Sequence, residues 1–594
     1  MPHYKRARSI VEPTTAAVRF TLGILSGLVF VILTLSARAA GETDTPLVVP
    51  ASSNSNGNTS MDLYASWLNS LRSDNYNVVQ GNVFLLTNDK CQAFVQVFKT
   101  CFGQNPAAPY IFPEPPIESS YVDPSYATPF NTQGTVGETN IFYRLSNNDA
   151  LITVVSYPPK AAYFGYISYA FTRDRTNYSV PPPPGLAGGG PLMVSPDPNR
   201  FEIFGSIGND VNNAVVQSQL GVSPWADPTQ GLPPAIVAYI TTSNKNLAAA
   251  LVESAQERGI NLKAIFIEPI GSNIITGNDA AADDMWTVMR YAVPQSGAAA
   301  QQWMSALPQN VIVYKVSNPG LTVQRYRANQ YTLRSVNTNE RSPSLSAALQ
   351  QLATLLQNYL TAKQQSPSQA VGLFPATTAT AENPGVPNGG LVGSVCIQFG
   401  TFCLGDDPDT STYAALPLRQ LGNEETAFVV GVNHNVLNLN NTRYVSVGVY
   451  NGLVLAGVAS ASQTNPQAVG FDSGSLNGSA QGILQALGIS IPSADTDLMA
   501  NLPNLYVTAI ARDINNRAIA TAAHYTINLT AAAQAVGQNL PANAPLVITE
   551  RSYIVPGTTT GGNVNFMLYP MVVAASTDFC PPSPRPEDLL KCFS

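Results

Sequence analysis

Hydrophobic positions recur in two rhythms along this 594-residue chain. The first is helical. Leu345, Leu349, Leu352, Leu356 and Leu360 fall on one stripe behind Ser342, a capping residue, and Pro343 at the first turn. This predicts an amphipathic helix that closes a first large domain. A second helix is expected from Asn244 to Arg258, with Ser243 as its cap and Gly259 as a left-handed stop. It lies between AIVAYITT (235–242) and LKAIFIEPI (262–270), which makes a βαβ unit with two parallel strands. A shorter helix through Val216 is expected to be capped by Asn209 or Asp210.

The second rhythm alternates with period two. NIFYRLS (140–146), ALITVVSY (150–157) and YFGYISYAF (163–171) read as antiparallel strands. Further on, VSVGVY-NG-LVLAGV reads as a two-residue hairpin turning at Asn451-Gly452. Its register sets Val449 on Val454, Val447 on Ala456 and Val445 on Val458. AFVVGVN (427–433), LYVTAIA (505–511) and VNFMLYPMVVA (564–574) are expected in the same sheet, covered by a short helix near 480–487. The fold class is α+β: a first domain with a mixed sheet, its βαβ unit and the closing helix, then a second that is mostly antiparallel β.

Proline and glycine punctuate these elements. Residues 104–137 and 180–199 read as surface excursions, and 365–391 as the linker between a mixed domain at 61–364 and a β-rich domain at 392–594. No internal repeat is evident. Residues 41–60 are polar and read as a flexible lead-in.

Residues 1–40 read as an export signal. Lys5, Arg6, Arg8 and Arg19 precede an uncharged stretch, 20–37, which ends at Ala37-Arg38-Ala39. The alternative is an uncleaved anchor over 20–37, since about 17–25 apolar residues span a bilayer. Cys91, Cys101, Cys396, Cys403, Cys580 and Cys592 form three sequence-local couples, which in an exported chain suggests three neighbour disulfides. Charged residues are 11%, against roughly 25% in ordinary domains. The net charge of −7 argues against a nucleic-acid partner.

Chemistry is sparse. G-x-S-x-G, P-loop, H-E-x-x-H and EF-hand motifs are absent. His434, at a strand end, is the candidate general base, with Asp407 as the carboxylate that orients it. Asp406, Asp407 and Asp409, in CLGDDPDT, are candidate calcium ligands because three carboxylates in four residues approach an oxygen cage. Calcium is the one cofactor considered. Glu268 stands at the carboxyl end of a parallel strand, where ligands gather in α/β sheets, although a charge there also marks a strand leaving the core. Tyr163, Phe164, Tyr166, Tyr169 and Phe171 crowd one strand, and Arg325, Arg327 and Arg334 read as a solvated basic patch. The expectation is an exported binding or surface-associated protein whose ligand is a carbohydrate or another surface protein, touching a membrane only through its N-terminal segment. The alternative is a secreted hydrolase built on His434 and the Asp406–Asp409 cluster.

Overall fold

The computed structural model describes residues 60–576 except for internal stretches, the longest being 117–138, 178–199, 379–406 (Ile397 apart) and 463–471. The leader at 1–40, the lead-in up to residue 59, the 180–199 loop, Asp406 and the couples Cys396/Cys403 and Cys580/Cys592 lie outside the described residues. Cys91 and Cys101 form a disulfide.

Helices and mixed and antiparallel sheets together make the α+β class. Sheet 1 runs Asn77–Gln80, Val311–Ser317, Asp149–Ser156, Ile236–Thr242, Ile265–Pro269, and only its last pairing is parallel. That pair and the helix Lys245–Glu257 are the expected βαβ unit, with Asn244 rather than Ser243 as cap. Sheet 2 runs Asn82–Leu86, Tyr110–Glu114, Asp284–Pro294, Ala161–Asp174, Arg200–Ser206 and is antiparallel. Phe142–Tyr143 and Val211–Asn212 add to it.

Two expectations change here. The three early alternating runs do not share a sheet: Asp149–Ser156 crosses into sheet 1, while Phe142–Tyr143 and Ala161–Asp174 stay in sheet 2. The proline-rich excursion contains a buried inner strand, Tyr110–Glu114, whose Pro113 stands opposite Val83.

Sheet 3 runs Ala370–Pro375, Met571–Ser576, Thr426–Val432, Leu505–Ala511, Thr526–Asn528. Sheet 4 runs Thr377–Thr378, Thr410–Leu418, Leu546–Tyr553, Tyr444–Asn451, Ala456–Ser462, Asp472–Ser475. The later strands are therefore not one sheet but two, packed face to face over Val429, Tyr506 and Val572 on one side and Val447, Val449 and Ile548 on the other. Residues 370–378, expected in the linker, supply strands to both.

The hairpin also differs. Asn451 pairs with Ala456, and Val449 and Val447 with Ala459 and Ala461, across a bulge. Tertiary contacts override the local turn preference. Gly452 N–H donates to Pro545 O at 2.7 Å, Leu453 N–H to the Asn451 side chain at 3.1 Å, and Cys101 N–H to Val454 O at 2.8 Å. The lengthened loop thereby docks on the first half of the chain.

The helix Pro343–Ala362 forms as expected, with the Ser342 hydroxyl accepting from Leu345 N–H. Its leucine stripe does not close the first half. Leu345, Leu349, Leu352 and Leu356 pack on Phe428, Val430, Val507 and Val573, the outer face of sheet 3, beside the helix Ser479–Leu487. The helices Met61–Leu71 and Lys245–Glu257 take the corresponding place on sheet 1. Sheets 1 and 2 enclose the other core, with Leu151, Tyr239 and Val313 against Phe164, Tyr166 and Met289.

The two sheet pairs repeat one another in the order of five strands per sheet, with Phe142–Tyr143 and Val211–Asn212 extra in sheet 2 and Asp472–Ser475 extra in sheet 4. Each begins with a serine-capped helix, Ser60 before one and Ser342 before the other. Sheets 1 and 3 each place the last strand of their half second in order, then run through antiparallel neighbours to one parallel pair. Register sharpens the match. Arg290 stands opposite Gly165 and Tyr110, and Arg551 opposite Ser446 and Thr412. Counting along each strand from those anchors sets Tyr163 on Tyr444, Val293 on Ile554 and Cys101 on Cys403. Val293 and Ile554 then share a left-handed backbone, φ 51° and 53°, which β-branched residues rarely adopt. Both copies read Cys-x-Gly-x-x-Pro from that cysteine, as CFGQNP (101–106) and CLGDDP (403–408). The absence of an internal repeat is thus corrected: the body of the chain is a tandem duplication.

Candidate functional site

Sheets 2 and 4 meet at the junction of the two copies, around Tyr163, Tyr444, Tyr553 and Ile554. Each copy holds a loop of the other through an arginine on its central strand. The Arg290 Nη1 donates to Asp407 Oδ2 at 2.7 Å, and the Arg551 Nη2 donates to Gly103 O at 2.6 Å. These arginines alternate with core residues on their strands, which is why they point away from their own sandwich.

Asp407 and Asp409 stand at the entry to the strand Thr410–Leu418. Each Asp407 oxygen accepts one hydrogen bond, one from Arg290 and the other from the Tyr169 hydroxyl, both at 2.7 Å. Burial works against the Arg290 charge, but Asp407 and the flanking Tyr169 and Tyr110 outweigh it and keep it protonated. Asp409 Oδ2 accepts from the Tyr163 hydroxyl at 2.7 Å and from Asn212 Nδ2 at 3.3 Å, whereas its Oδ1 has no partner.

A third carboxylate, Asp210, joins them, and one oxygen from each of the three lies within 4.8 Å of the others. Asp210 is only 4% exposed and neither of its oxygens has a hydrogen-bond partner. The Asp409 amide lies near enough to favour its charged form without meeting hydrogen-bond geometry. Asp210 does not cap the following helix, nor does Asn209. Asn212 does, accepting from Ala214 and Val215 N–H. Burial, and then the charges of Asp409 and Asp407, push the Asp210 carboxyl well above its usual range. Burial and the charge of Asp407, partly offset by Tyr163, Arg290 and Asn212, bring Asp409 to about 7. Arg334, read from sequence as solvated, is buried here and donates to the backbone oxygens of Thr410 and Asp407, at 2.6 and 2.9 Å.

His434 lies elsewhere, at the end of the sandwich of sheets 3 and 4, fully buried. Its Nδ1 meets Glu340 Oε1 at 2.6 Å and its Nε2 meets Glu550 Oε1 at 2.9 Å. Asn441 Nδ2 and Leu568 N–H also donate to Glu340, and the Tyr506 hydroxyl donates to Glu550. Gly431, opposite Tyr506 in register, lets that ring approach, since a Cβ there would meet it at 2.5 Å. Burial disfavours a charged imidazole, but the two carboxylates prevail and push its pKa up to about 10. This setting favours the imidazolium, a form in which both nitrogens carry protons and neither has a lone pair to accept one. Its carboxylate partners are Glu340 and Glu550, and Asp407 belongs to Arg290 and Tyr169. The structure does not bring the expected base and its orienter together.

Glu268 is buried between sheets 1 and 2 with every oxygen occupied. It accepts from Ser168 N–H at 2.7 Å, Ser168 Oγ at 2.5 Å and Thr241 Oγ1 at 2.6 Å. Burial raises its pKa and the three donors pull it back. It ties the two sheets together rather than facing a ligand. The aromatic strand is likewise core: Tyr163, Phe164, Tyr166, Tyr169 and Phe171 are all buried.

Sequence reading missed Asp210, Glu340 and Glu550 as members of these clusters, because each meets its partners across 90 residues or more. The one available signal was the CFGQNP/CLGDDP echo, which marks where the copies exchange contacts.

No family model and no curated protein matches this chain. Among solved structures, it is similar to a putative uncharacterized protein from Burkholderia cenocepacia, at 8% identity and a TM-score of 0.31 over 87% of each chain. It is also similar to the VPA0106 protein from Vibrio parahaemolyticus, at 9% identity and a TM-score of 0.28, over 73% of this chain and 88% of that one. Likenesses at this level carry no argument about function.

Proposed function

We propose that this chain acts outside the cytoplasm as a non-enzymatic binding or surface-associated protein. The observation that carries this reading is the setting of His434, the candidate general base, which is buried with both ring nitrogens within hydrogen-bond distance of Glu340 and Glu550. Asp407, its expected orienter, is neutralised by Arg290. Both features support the binding reading over the hydrolase alternative. Export rests on the basic and apolar leader, and the Cys91–Cys101 disulfide is compatible with an oxidising compartment. Among the described residues no helix is long and apolar enough to cross a membrane. The ligand we favour is a carbohydrate or a partner surface protein.

The test is fractionation of cells expressing the full chain, with intact-mass analysis of the recovered protein. Recovery outside the cytoplasm, shortened at the Ala37-Arg38-Ala39 site, supports the proposal. A full-length cytosolic protein with free thiols overturns it. Any hydrolase activity abolished by His434→Ala in a variant that keeps wild-type circular dichroism and thermal stability would restore the rival reading.

A further inference from the structure

We propose that Asp210, Asp407 and Asp409 hold one hard divalent cation, calcium by preference, at the junction of the two copies. The first argument is the unspent bonding capacity. Both Asp210 oxygens and Asp409 Oδ1 are buried without partners, and one oxygen of each carboxylate of the trio lies within 4.8 Å of the others. Buried carboxylates are almost always paired or metal-bound, because an isolated charge in the interior is costly. Arg290 bonds Asp407 of the trio. Arg334 nearby is engaged by backbone carbonyls.

The second argument comes from the duplication. The equivalent loop of the first copy carries Asn105 where the second has Asp407, and Ala107 where the second has Asp409. That loop builds the same strand entry and makes its own contact to the other copy, Asn105 Nδ2 donating to the Tyr444 hydroxyl at 3.2 Å. The scaffold therefore works with neutral residues at these positions. In the second copy Asp407 pairs with Arg290 and one oxygen of Asp409 accepts from Tyr163, but Asp409 Oδ1 and both oxygens of Asp210 are left over from these contacts, and a ligand of opposite charge accounts for them.

Donor chemistry sets the class of ion. The set is all oxygen, with no imidazole or thiolate, and so favours calcium or magnesium over zinc or copper. Calcium tolerates irregular geometry, whereas magnesium demands a near-ideal octahedron. These ligands come from two segments that meet only through tertiary packing, which favours the more tolerant ion. Bound there, the cation joins Asp210 of the first copy to Asp407 and Asp409 of the second. It is a staple between repeats and has no role in turnover.

The experiment uses the full chain with its disulfides intact, refolded with about 1 mM calcium, the range of extracellular calcium modules, and exchanged into calcium-free buffer. Elemental analysis should find a single calcium per chain, and thermal melting should show a higher Tm than for protein refolded in chelator. Terbium replacing calcium should give tyrosine-sensitised emission, because Tyr163 and Tyr169 hydrogen-bond to ligand carboxylates. Asp210→Asn and Asp409→Asn should each remove the ion, the emission and the calcium-dependent rise in Tm. Magnesium bound in place of calcium with the same losses supports the site. Wild-type protein that holds neither ion and melts identically with and without them overturns it, and that measurement needs no variant to fold. Asn variants that melt higher than the metal-free wild type, with no ion bound by either, likewise overturn it and leave the trio as carboxyls sharing protons.

Discussion

Replacing His434 by Leu removes a cation from between two buried carboxylates and leaves Glu340 and Glu550 without their common partner. Breaking a buried ion pair from one side costs about 3–5 kcal/mol. The proton affinity of the ring leads to a similar figure. A pKa moved from 6.5 to about 10 corresponds to about 5 kcal/mol of preference for the imidazolium in the folded state. The sign follows from the direction of the shift. A raised folded-state pKa contributes stability that is complete below about 6.5 and disappears as pH rises through about 10. Urea denaturation of wild type and His434→Leu should therefore differ most below about pH 6.5, still differ at pH 7 and converge above pH 10. Only His3, His434 and His524 are present, so selective ¹⁵N-histidine labelling reads the ring directly. At pH 8 both His434 nitrogens should carry protons. A neutral His434 ring at that pH, or equal urea midpoints at pH 7, would refute the clamp and reopen the general-base reading.

Three further outcomes are expected. Arg290→Met strands Asp407 in the junction and should lower stability by about 3–5 kcal/mol in chemical denaturation, with loss of the contact to the loop of the other copy. Leu356→Ala empties a fully buried position between the long helix and sheet 3 and should cost about 2–5 kcal/mol, read as a lower denaturation midpoint at unchanged slope. Peptide mapping without reductant should recover Cys396 joined to Cys403, because CFGQNP and CLGDDP place Cys403 where the first copy has the disulfide-bonded Cys101.

The helices were largely legible because a helix buried on one side writes its stripe into the sequence, as Leu345 to Leu360 show. The sheets were legible as strands but not as partners. Asp149–Ser156 and Tyr444–Asn451 are buried on both faces, so alternation no longer says which face meets which layer. The Asn451-Gly452 hairpin was misread for a different reason. Its turn chemistry is local, but Pro545 and Cys101 decide the loop from outside. The candidate site was half visible. Asp407 and Asp409 sit in one short run, while Asp210 reaches them only because Val211–Asn212 pairs with Ala161–Asp174 and delivers it to the junction. Similarly, His434 was visible and its two carboxylates were not, since nothing in the local pattern distinguishes Glu340 or Glu550 from a surface acid.

The reciprocal arginines have a consequence for how such a molecule can change. In a symmetric homodimer every substitution is made twice, so an aspartate placed in the loop to improve one junction burdens its mirror image as well. Joining both copies in one polypeptide lifts that restriction. Here one loop carries Asn105 and Ala107 while its counterpart carries Asp407 and Asp409, so the two junctions differ in charge within one chain.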